Sequence, residues 1–342
     1  MTTRLHWGIL GTGNIANQFA EGATHARRSK IVAVGSRTQR NASDFAERFE
    51  IAHAHGSYEA LLADDGVEAV YISLPNSLHH EWTLKALAAG KHVLCEKPFA
   101  SNEQQAREMF AAAERADRRL VEAFMYRSHP LTRAVIEKVR QGAIGNLKLV
   151  RTSFCYRTRH IEGNIRFDPA LDGGALMDVG CYCLDFSCLL AGEAPESAEA
   201  SAHIHPTGVD DYVAGSMKFP SGVLASFCCG MSVQTNNAAI ISGDEGFIEI
   251  PVPWKPPVTG ARYILARMTP PRQDRGSRRT PPPETIEVDA PLPLYGLEAD
   301  DFARAVLDGA PPAVTPEQTL TTMRLLDELR GGMGNHEGTK KA

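Results

Sequence analysis

The segment "WGILGTGNIA", residues 7–16, decides the fold. It ends an apolar run over residues 5–10 and passes through Gly11, Gly13 and Ala16 into a helical pattern over residues 15–26. At a strand–turn–helix junction this glycine spacing has a mechanical meaning. Gly11 permits the tight turn, Gly13 lets backbone approach a pyrophosphate, and Ala16 keeps the helix close to its strand. The phosphates would sit at the helix N-terminus, where N–H groups and the helix dipole favour anions. Asn14 and Ile15, at the start of that helix, complete this candidate cofactor turn. A strand-to-helix turn that binds nothing carries the same pattern, so the surroundings have to decide.

Up to residue 124, strand and helix signals alternate. Residues 31–34, 67–74, 92–95 and 120–124 read as strands, and residues 42–49, 78–89 and 101–116 as helices, with Ser101 capping the last. One helix between successive strands means parallel βαβ units with right-handed crossovers. After His129-Pro130 and one more helix the grain changes. Strand-like runs follow at 147–156, 198–204, 211–219, 223–232, 238–242 and 246–250. Short turns such as "FPSGV" (219–223) and "SGDEG" (242–246) make them antiparallel neighbours. A helix over 174–190 interrupts them. Prolines and the basic cluster "RQDRGSRR" (272–279) make 251–283 a solvated loop around a strand at 261–268. Helices at 297–308 and 315–330 follow. The expected fold class is α/β: a doubly wound parallel Rossmann sheet over 1–124, an α/β domain with an open, mainly antiparallel sheet over 125–334, and a flexible tail at 335–342. Such an open sheet with a partly apolar outer face usually finds a partner, so a homodimer or homotetramer is expected.

The 342 residues suffice for two domains, and 43% hydrophobic with 23% charged residues is an ordinary globular balance. A net charge of -5 gives no electrostatic case for nucleic acid or an anionic membrane surface. No apolar run is read as approaching the ~20 residues that span a bilayer. The chain enters its first strand too early for a signal peptide. Seven scattered cysteines without a C-x-x-C pair read as reduced, buried thiols, and the expected location is cytoplasmic.

The end of the second strand, "IVAVGSRTQR" (31–40), selects the dinucleotide. An NAD site usually places a carboxylate there to hold the ribose 2′-hydroxyl. Here stand Ser36, Arg37, Thr38 and Arg40, a hydroxyl-and-guanidinium set that suits a 2′-phosphate. Arg37 can also stack on adenine. NADP is expected ahead of NAD; an exposed basic loop tolerant of both cofactors is the alternative. "YISLPNSLHH" (71–80) ends a further strand at the same sheet edge and brings Leu74, Asn76 and His79 to the cofactor side. Asn76 serves equally well as a cap for the next helix. Adjacent His79 and His80 face apart on a helix with no third ligand, so no metal is expected.

"GKHVLCEKPFA" (90–100) delivers Glu96 and Lys97 to a strand's carboxyl end, where open parallel sheets bind ligands. Charges there are costly unless paired or used. Lys97 can hold a substrate hydroxyl or shift a neighbouring acid's pKa, and Pro98 suits a cis peptide bond. A strand-end ion pair is the plainer reading. In "LDGGALMDVGCYCLDF" (171–186), Gly173-Gly174 precede a helix carrying Asp178 and Tyr182, four residues apart on one face. An acid inside an apolar helix requires a reason, and for an Asp/Tyr pair standing alone a structural role is the plainer reading. Asp185, less well aligned, reads as a local hydrogen bond.

The glycine turn, "EKP" at 96–98 and "GGALMDVGCY" at 173–182 resemble the Gfo/Idh/MocA oxidoreductase family over essentially the whole chain. Its dimeric dihydrodiol dehydrogenase and NADP-dependent D-xylose dehydrogenase branch is the most similar, with Tyr where inositol dehydrogenases have His. The resemblance implies Lys97 and Tyr182 as catalytic groups and Asp178 at the substrate. It also implies pyrophosphate on Gly11 and Gly13, and the 2′-phosphate on Ser36 and Arg37. "FMYRSHP" (124–130) recurs in that branch, placing Tyr126, Arg127 and His129 on the nicotinamide side. Ala16 and Asp172 depart from the family glycines without removing a catalytic group. The reaction implied moves a hydride between nicotinamide and a hydroxyl-bearing carbon of an aldose such as D-xylose, or of a cyclic diol. Tyr182 would handle the proton and Lys97 would ease it. "IRFDPALDGGALMDVG" (165–180) also resembles sugar 3-ketoreductases of deoxysugar pathways. An NAD-using polyol dehydrogenase and a non-catalytic dinucleotide-sensing regulator remain alternatives; the regulator expects loss of Lys or Tyr, and both are present.

Overall fold

The computed structural model describes residues 3–267 and 282–335. The basic cluster at 272–279 lies outside them, as does the expected tail apart from Asn335. The chain forms two compact units.

The first unit alternates β1 (Leu5–Leu10), α1 (Asn14–Ala23), β2 (Ser29–Gly35), α2 (Gln39–Phe49), β3 (His53–His55) and α3 (Tyr58–Leu62). It continues with β4 (Ala69–Ile72), α4 (His79–Ala88), β5 (His92–Glu96), α5 (Glu103–Ala116) and β6 (Leu120–Ala123). The six strands are parallel in the order β3-β2-β1-β4-β5-β6. β4 and β6 are buried along their whole length, which explains apolar runs without alternation. Helix starts follow side-chain chemistry: Thr38, Ser57 and Asn102 accept hydrogen bonds from the N–H groups of Asn41, Ala60 and Gln105. Asn102, rather than Ser101, therefore caps α5. β3 and α3, at three and five residues, are too short to register as periodicity.

The second unit contains α6 (Pro130–Arg140), β7 (Leu147–Cys155), α7 (Cys181–Ala191), β8 (Ser197–Ile204), β9 (Asp210–Lys218), β10 (Leu224–Gly230), β11 (Ala239–Gly243), β12 (Gly246–Ile250), β13 (Arg262–Arg267) and β14 (Glu284–Glu287). Its eight strands run β14-β13-β12-β11-β7-β10-β9-β8, all neighbours antiparallel except β7 and β10. α7 packs on β7 and β10 and is buried over its first seven residues. That burial explains why the stretch Pro169–Ala191 has the length and hydropathy of a bilayer span, contrary to the sequence expectation: 83% of its apolar window is buried. All seven cysteines are free thiols.

The chain then returns. α8 (Leu294–Leu307) and the start of α9 (Pro316–Asn335) belong to the first unit, together with residues 170–172. The linear division at 124 does not anticipate this return, because periodicity identifies a helix but not its partner. The partner is set by close approach. A Cβ on Gly22 would lie 2.7 Å from Tyr295 Cβ, and one on Gly296 would lie 2.6 Å from the Gly22 oxygen, so α1 and α8 meet backbone to backbone. Trp7 of β1 packs on Phe302 with ring centroids 4.9 Å apart. Asp300 of α8 accepts the backbone N–H groups of Arg27 and Arg28 at 2.8 and 2.7 Å, fixing the entry to β2. Replacing Asp300 with Ala strands both donors. It should lower unfolding stability by about 2–4 kcal/mol, measured by urea denaturation; an unchanged midpoint would remove this anchor from the account.

Candidate active site

In the first unit the dinucleotide turn lies between the two central strands, where the order reverses. Gly11 has φ +104° and its missing Cβ would lie 3.0 Å from Ser73 Oγ and 3.2 Å from Leu74 Cδ2, so only glycine fits between the ends of β1 and β4. Gly13 caps α1 without a side-chain hydrogen bond, and a Cβ there would meet nothing within 4 Å. That open space beside a helix N-terminus is what a pyrophosphate needs. Ala16 is fully buried under the helix. Asn14 is exposed and Ile15 half-buried at its first turn. Thr12 and Ser36 hydroxyls are 3.4 Å apart, joining the glycine turn to the end of β2. Ser36 is buried, its N–H donating to the His55 carbonyl at 3.1 Å, while Arg37 and Arg40 are exposed. Arg40 lies 3.9 Å from Asp44 on the same helix. These residues fit a phosphorylated dinucleotide.

At the end of β5, Glu96 accepts from the Tyr71 hydroxyl on one oxygen and from the Lys97 N–H at 3.2 Å on the other. Its carboxyl group is thus turned into the interior. The Lys97–Pro98 peptide is cis, as the sequence suggested. His79 is fully buried, with Nδ1 2.9 Å from the Pro98 oxygen and Nε2 2.9 Å from the Leu74 oxygen. His79, expected on the cofactor side, thus lies buried between the loop after β4 and the loop carrying Lys97. Burial pushes its pKa down while the two carbonyls pull it up. Asn76 does not cap α4; its amide donates to the Asp172 oxygen at 2.8 Å, and Ser101 Oγ donates to Asp172 Oδ2 at 2.6 Å.

Arg127, expected at the cofactor, lies in the turn after β6. It is buried and donates to the Ala313 oxygen at 3.0 Å and Gln318 Oε1 at 2.7 Å. Tyr126 is buried in the same turn. His129 caps α6, accepting from the Leu131 N–H, and its other nitrogen faces the Pro257 oxygen.

In the second unit the residues ahead of α7 form a π-helical turn, Leu176–Gly180, with Asp178 inside it. Such turns break the simple i, i+4 rule, so spacing alone no longer aligns Asp178 with Tyr182. β7 and its continuation relate them instead. Tyr182, 3% exposed, packs edge-on against Phe154 at 5.1 Å and Trp254 at 5.8 Å. Two residues on, Tyr156 donates its hydroxyl to Asp178 Oδ2 at 2.5 Å. Arg166 Nε lies 3.1 Å from Asp178 Oδ1. Burial, then the Asp178 charge, pushes the Tyr156 phenol well above its ordinary range, so it stays a donor.

Backbone crowding aims this carboxylate. A Cβ on Gly173 would lie 2.4 Å from the Arg166 oxygen, and one on Gly174 (φ +121°) would lie 2.3 Å from Asp210 Oδ1. Asp210 Oδ2 accepts the Leu176 N–H at 2.7 Å at the helix start, and burial pushes its pKa up to about 6. Asp185 is buried further along α7. Tyr156, Arg166 and Asp210 were not singled out from sequence. The only available signal was the arginine in "IRFDPALDGG" ahead of the glycine pair.

Residues 5–124 match the GFO/IDH/MocA oxidoreductase family with its NAD-binding Rossmann fold, and residues 132–249 match the family's C-terminal domain. The trans-1,2-dihydrobenzene-1,2-diol dehydrogenase of Mus musculus is 39% identical, covering 74% of this chain and 76% of its own. The D-xylose 1-dehydrogenase (NADP(+)) 2 of Haloferax volcanii is 34% identical over 94% of this chain and 95% of its own. Among solved structures, a 3-ketoreductase from Actinomadura kijaniata in complex with NADP and TDP-benzene superimposes with a TM-score of 0.85 at 30% identity, covering 96% of this chain and 98% of that one. The glycine turn, the Lys97 strand end and the Asp178 network thus stand in a chain that belongs to the Gfo/Idh/MocA oxidoreductase family.

Proposed function

We propose that this oxidoreductase uses NADP and acts on a hydroxyl-bearing carbon of an aldose such as D-xylose, or of a cyclic diol. The observation that carries the reading is Asp178, a carboxylate in an apolar helical segment held on both oxygens by Tyr156 and Arg166. A fixed carboxylate suits orienting a polyhydroxylated substrate through its hydroxyl groups. The relatives named for D-xylose and for a dihydrodiol support the same class.

Gly11, Gly13 and the start of α1 would hold the pyrophosphate, and Ser36 with Arg37 the 2′-phosphate. When bound, the nicotinamide supplies the hydride acceptor, or the donor in reduction. The chain's own part is positioning and proton transfer. Tyr182 Oη takes the substrate hydroxyl proton as the C–H bond is broken, and returns it in the reverse direction. A free phenol titrates near pH ~10, so it needs help near neutrality. Lys97 provides it: an ammonium group favours the phenolate and the developing alkoxide. Asp178 orients the substrate.

Tyr182→Phe should lower kcat by roughly 10²–10⁴-fold with the Kd for NADPH unchanged. Stopped-flow turnover beside a fluorescence titration would read both, and an unaffected kcat removes Tyr182 from proton transfer. Arg37→Ala should weaken NADPH by roughly ten- to a hundredfold and leave NADH nearly untouched, as expected for loss of a charge-assisted contact. Equal weakening of both cofactors would place Arg37 elsewhere. Nicotinamide absorbance with a panel of aldoses, cyclic diols and 3-keto sugars tests the substrate. Turnover of the 3-keto sugars alone would move the assignment to the 3-ketoreductase class, which the resemblance to the Actinomadura kijaniata enzyme favours as second reading.

A further inference from the structure

His53 and His55 lie two residues apart on β3, the edge strand of the parallel sheet, and so share one face. Asp64, in the turn after α3, meets both. Its Oδ2 is 2.6 Å from His53 Nδ1 and 2.9 Å from His55 Nε2. One ligand atom from each residue lies within 4.8 Å of the others. We infer that His53, His55 and Asp64 form a binding site for a divalent cation of the zinc class, independent of the dinucleotide turn and of the proposed reaction.

The donor set is right for such an ion: two imidazoles and one carboxylate, with water completing the shell. The ligands are also held in place. Asp64 Oδ1 accepts the Gly66 N–H at 2.8 Å, which orients the carboxylate from behind. The Lys91 ammonium binds the Asp64 and Val67 carbonyls at 2.9 and 2.7 Å, fixing the turn, and Gln39 Nε2 donates to the Ala54 oxygen between the two histidines at 2.9 Å. Side-chain exposures of 53%, 23% and 10% for His53, His55 and Asp64 leave a path for the ion and room for water. Lys91 opposes a cation through its charge, which places the site below a buried structural zinc centre in affinity. A simple carboxylate tie between two imidazole N–H groups is the competing explanation, and it predicts no metal uptake.

A bound ion would link β3 to the turn after α3 and steady the His55 carbonyl that receives the Ser36 N–H. The test is titration of the chelator-stripped full chain with Co²⁺, followed by visible d–d absorption, and with Zn²⁺ by calorimetry. We expect one ion per chain without thiolate charge-transfer bands, and a rise in Tm on loading. His53→Ala and His55→Ala should each weaken binding by more than about tenfold, whereas His160→Ala and Cys228→Ser should leave it unchanged. Because His53 is exposed, its variant decides the matter if the His55 variant fails to fold. No saturable uptake, wild-type binding by His53→Ala, or loss of the signal in Cys228→Ser would each overturn the site.

Discussion

A carboxyl group buried at the end of a β-strand must find donors, and Glu96 sets the terms for everything around Lys97. Its donors include the Tyr71 hydroxyl and the N–H of Lys97 itself. Tyr71 is stacked on Phe19 of α1 at 3.8 Å, so the helix that begins at the dinucleotide turn also braces the end of β5. Burial, reinforced by Glu96, pushes the Tyr71 phenol and the Glu298 carboxyl of α8 well above their ordinary ranges. Burial thus opposes ionisation of both groups in the interior. On the other side of the loop, His79 lies between the Pro98 and Leu74 carbonyls, one ring nitrogen 2.9 Å from each. Lys97 leaves a strand end whose surroundings are held from two directions, so its backbone is well placed.

The parallel half of the fold was legible because each βαβ unit announces itself locally. The glycine turn, the buried strands and the capped helices depend on neighbours in sequence. The antiparallel half was legible as strands with turns between them; its β7–β10 parallel contact was not, since pairing is a tertiary choice. The destination of α8 was hidden for a related reason. Gly22 and Gly296 are ordinary helix residues in isolation, and their meaning appears only when the two backbones touch. β3 illustrates the limit of length. Three residues hold no detectable period, yet they carry the two histidines that meet Asp64.

Residue type led correctly to Asp178 as a group needing explanation, but not to what explains it. Its partners come from the residue after β7 and from a turn ahead of the glycine pair, separated from it by 22 and 12 positions, too far for a periodic signal. His79, Arg127 and His129, read as ligand-side groups, show the opposite difficulty. Polar residues near a sheet's carboxyl edge read as ligand contacts, and these three also lie within hydrogen-bonding distance of backbone carbonyls, Arg127 of Gln318 as well. A loop that must be rigid consumes polar side chains just as a binding site does, and sequence alone does not separate the two uses.

The helix start in the second unit shows why rigidity and chemistry are joined there. A π turn shifts the register between Asp178 and the first residues of α7, so the carboxylate engages Tyr156 and Arg166 while Tyr182 stays in its aromatic setting of Phe154 and Trp254. An uninterrupted α-helix would hold the two in fixed succession along one face. The π turn lets a strand with two-residue alternation present Phe154 to the phenol and Tyr156 to the acid. Gly173 and Gly174 are the steric condition for that arrangement, because any side chain at either place would collide with the Arg166 backbone or the Asp210 carboxylate. The glycine pair belongs to the candidate active site for this reason: without it, neither Arg166 nor the helix start could occupy the positions from which Asp178 is aimed.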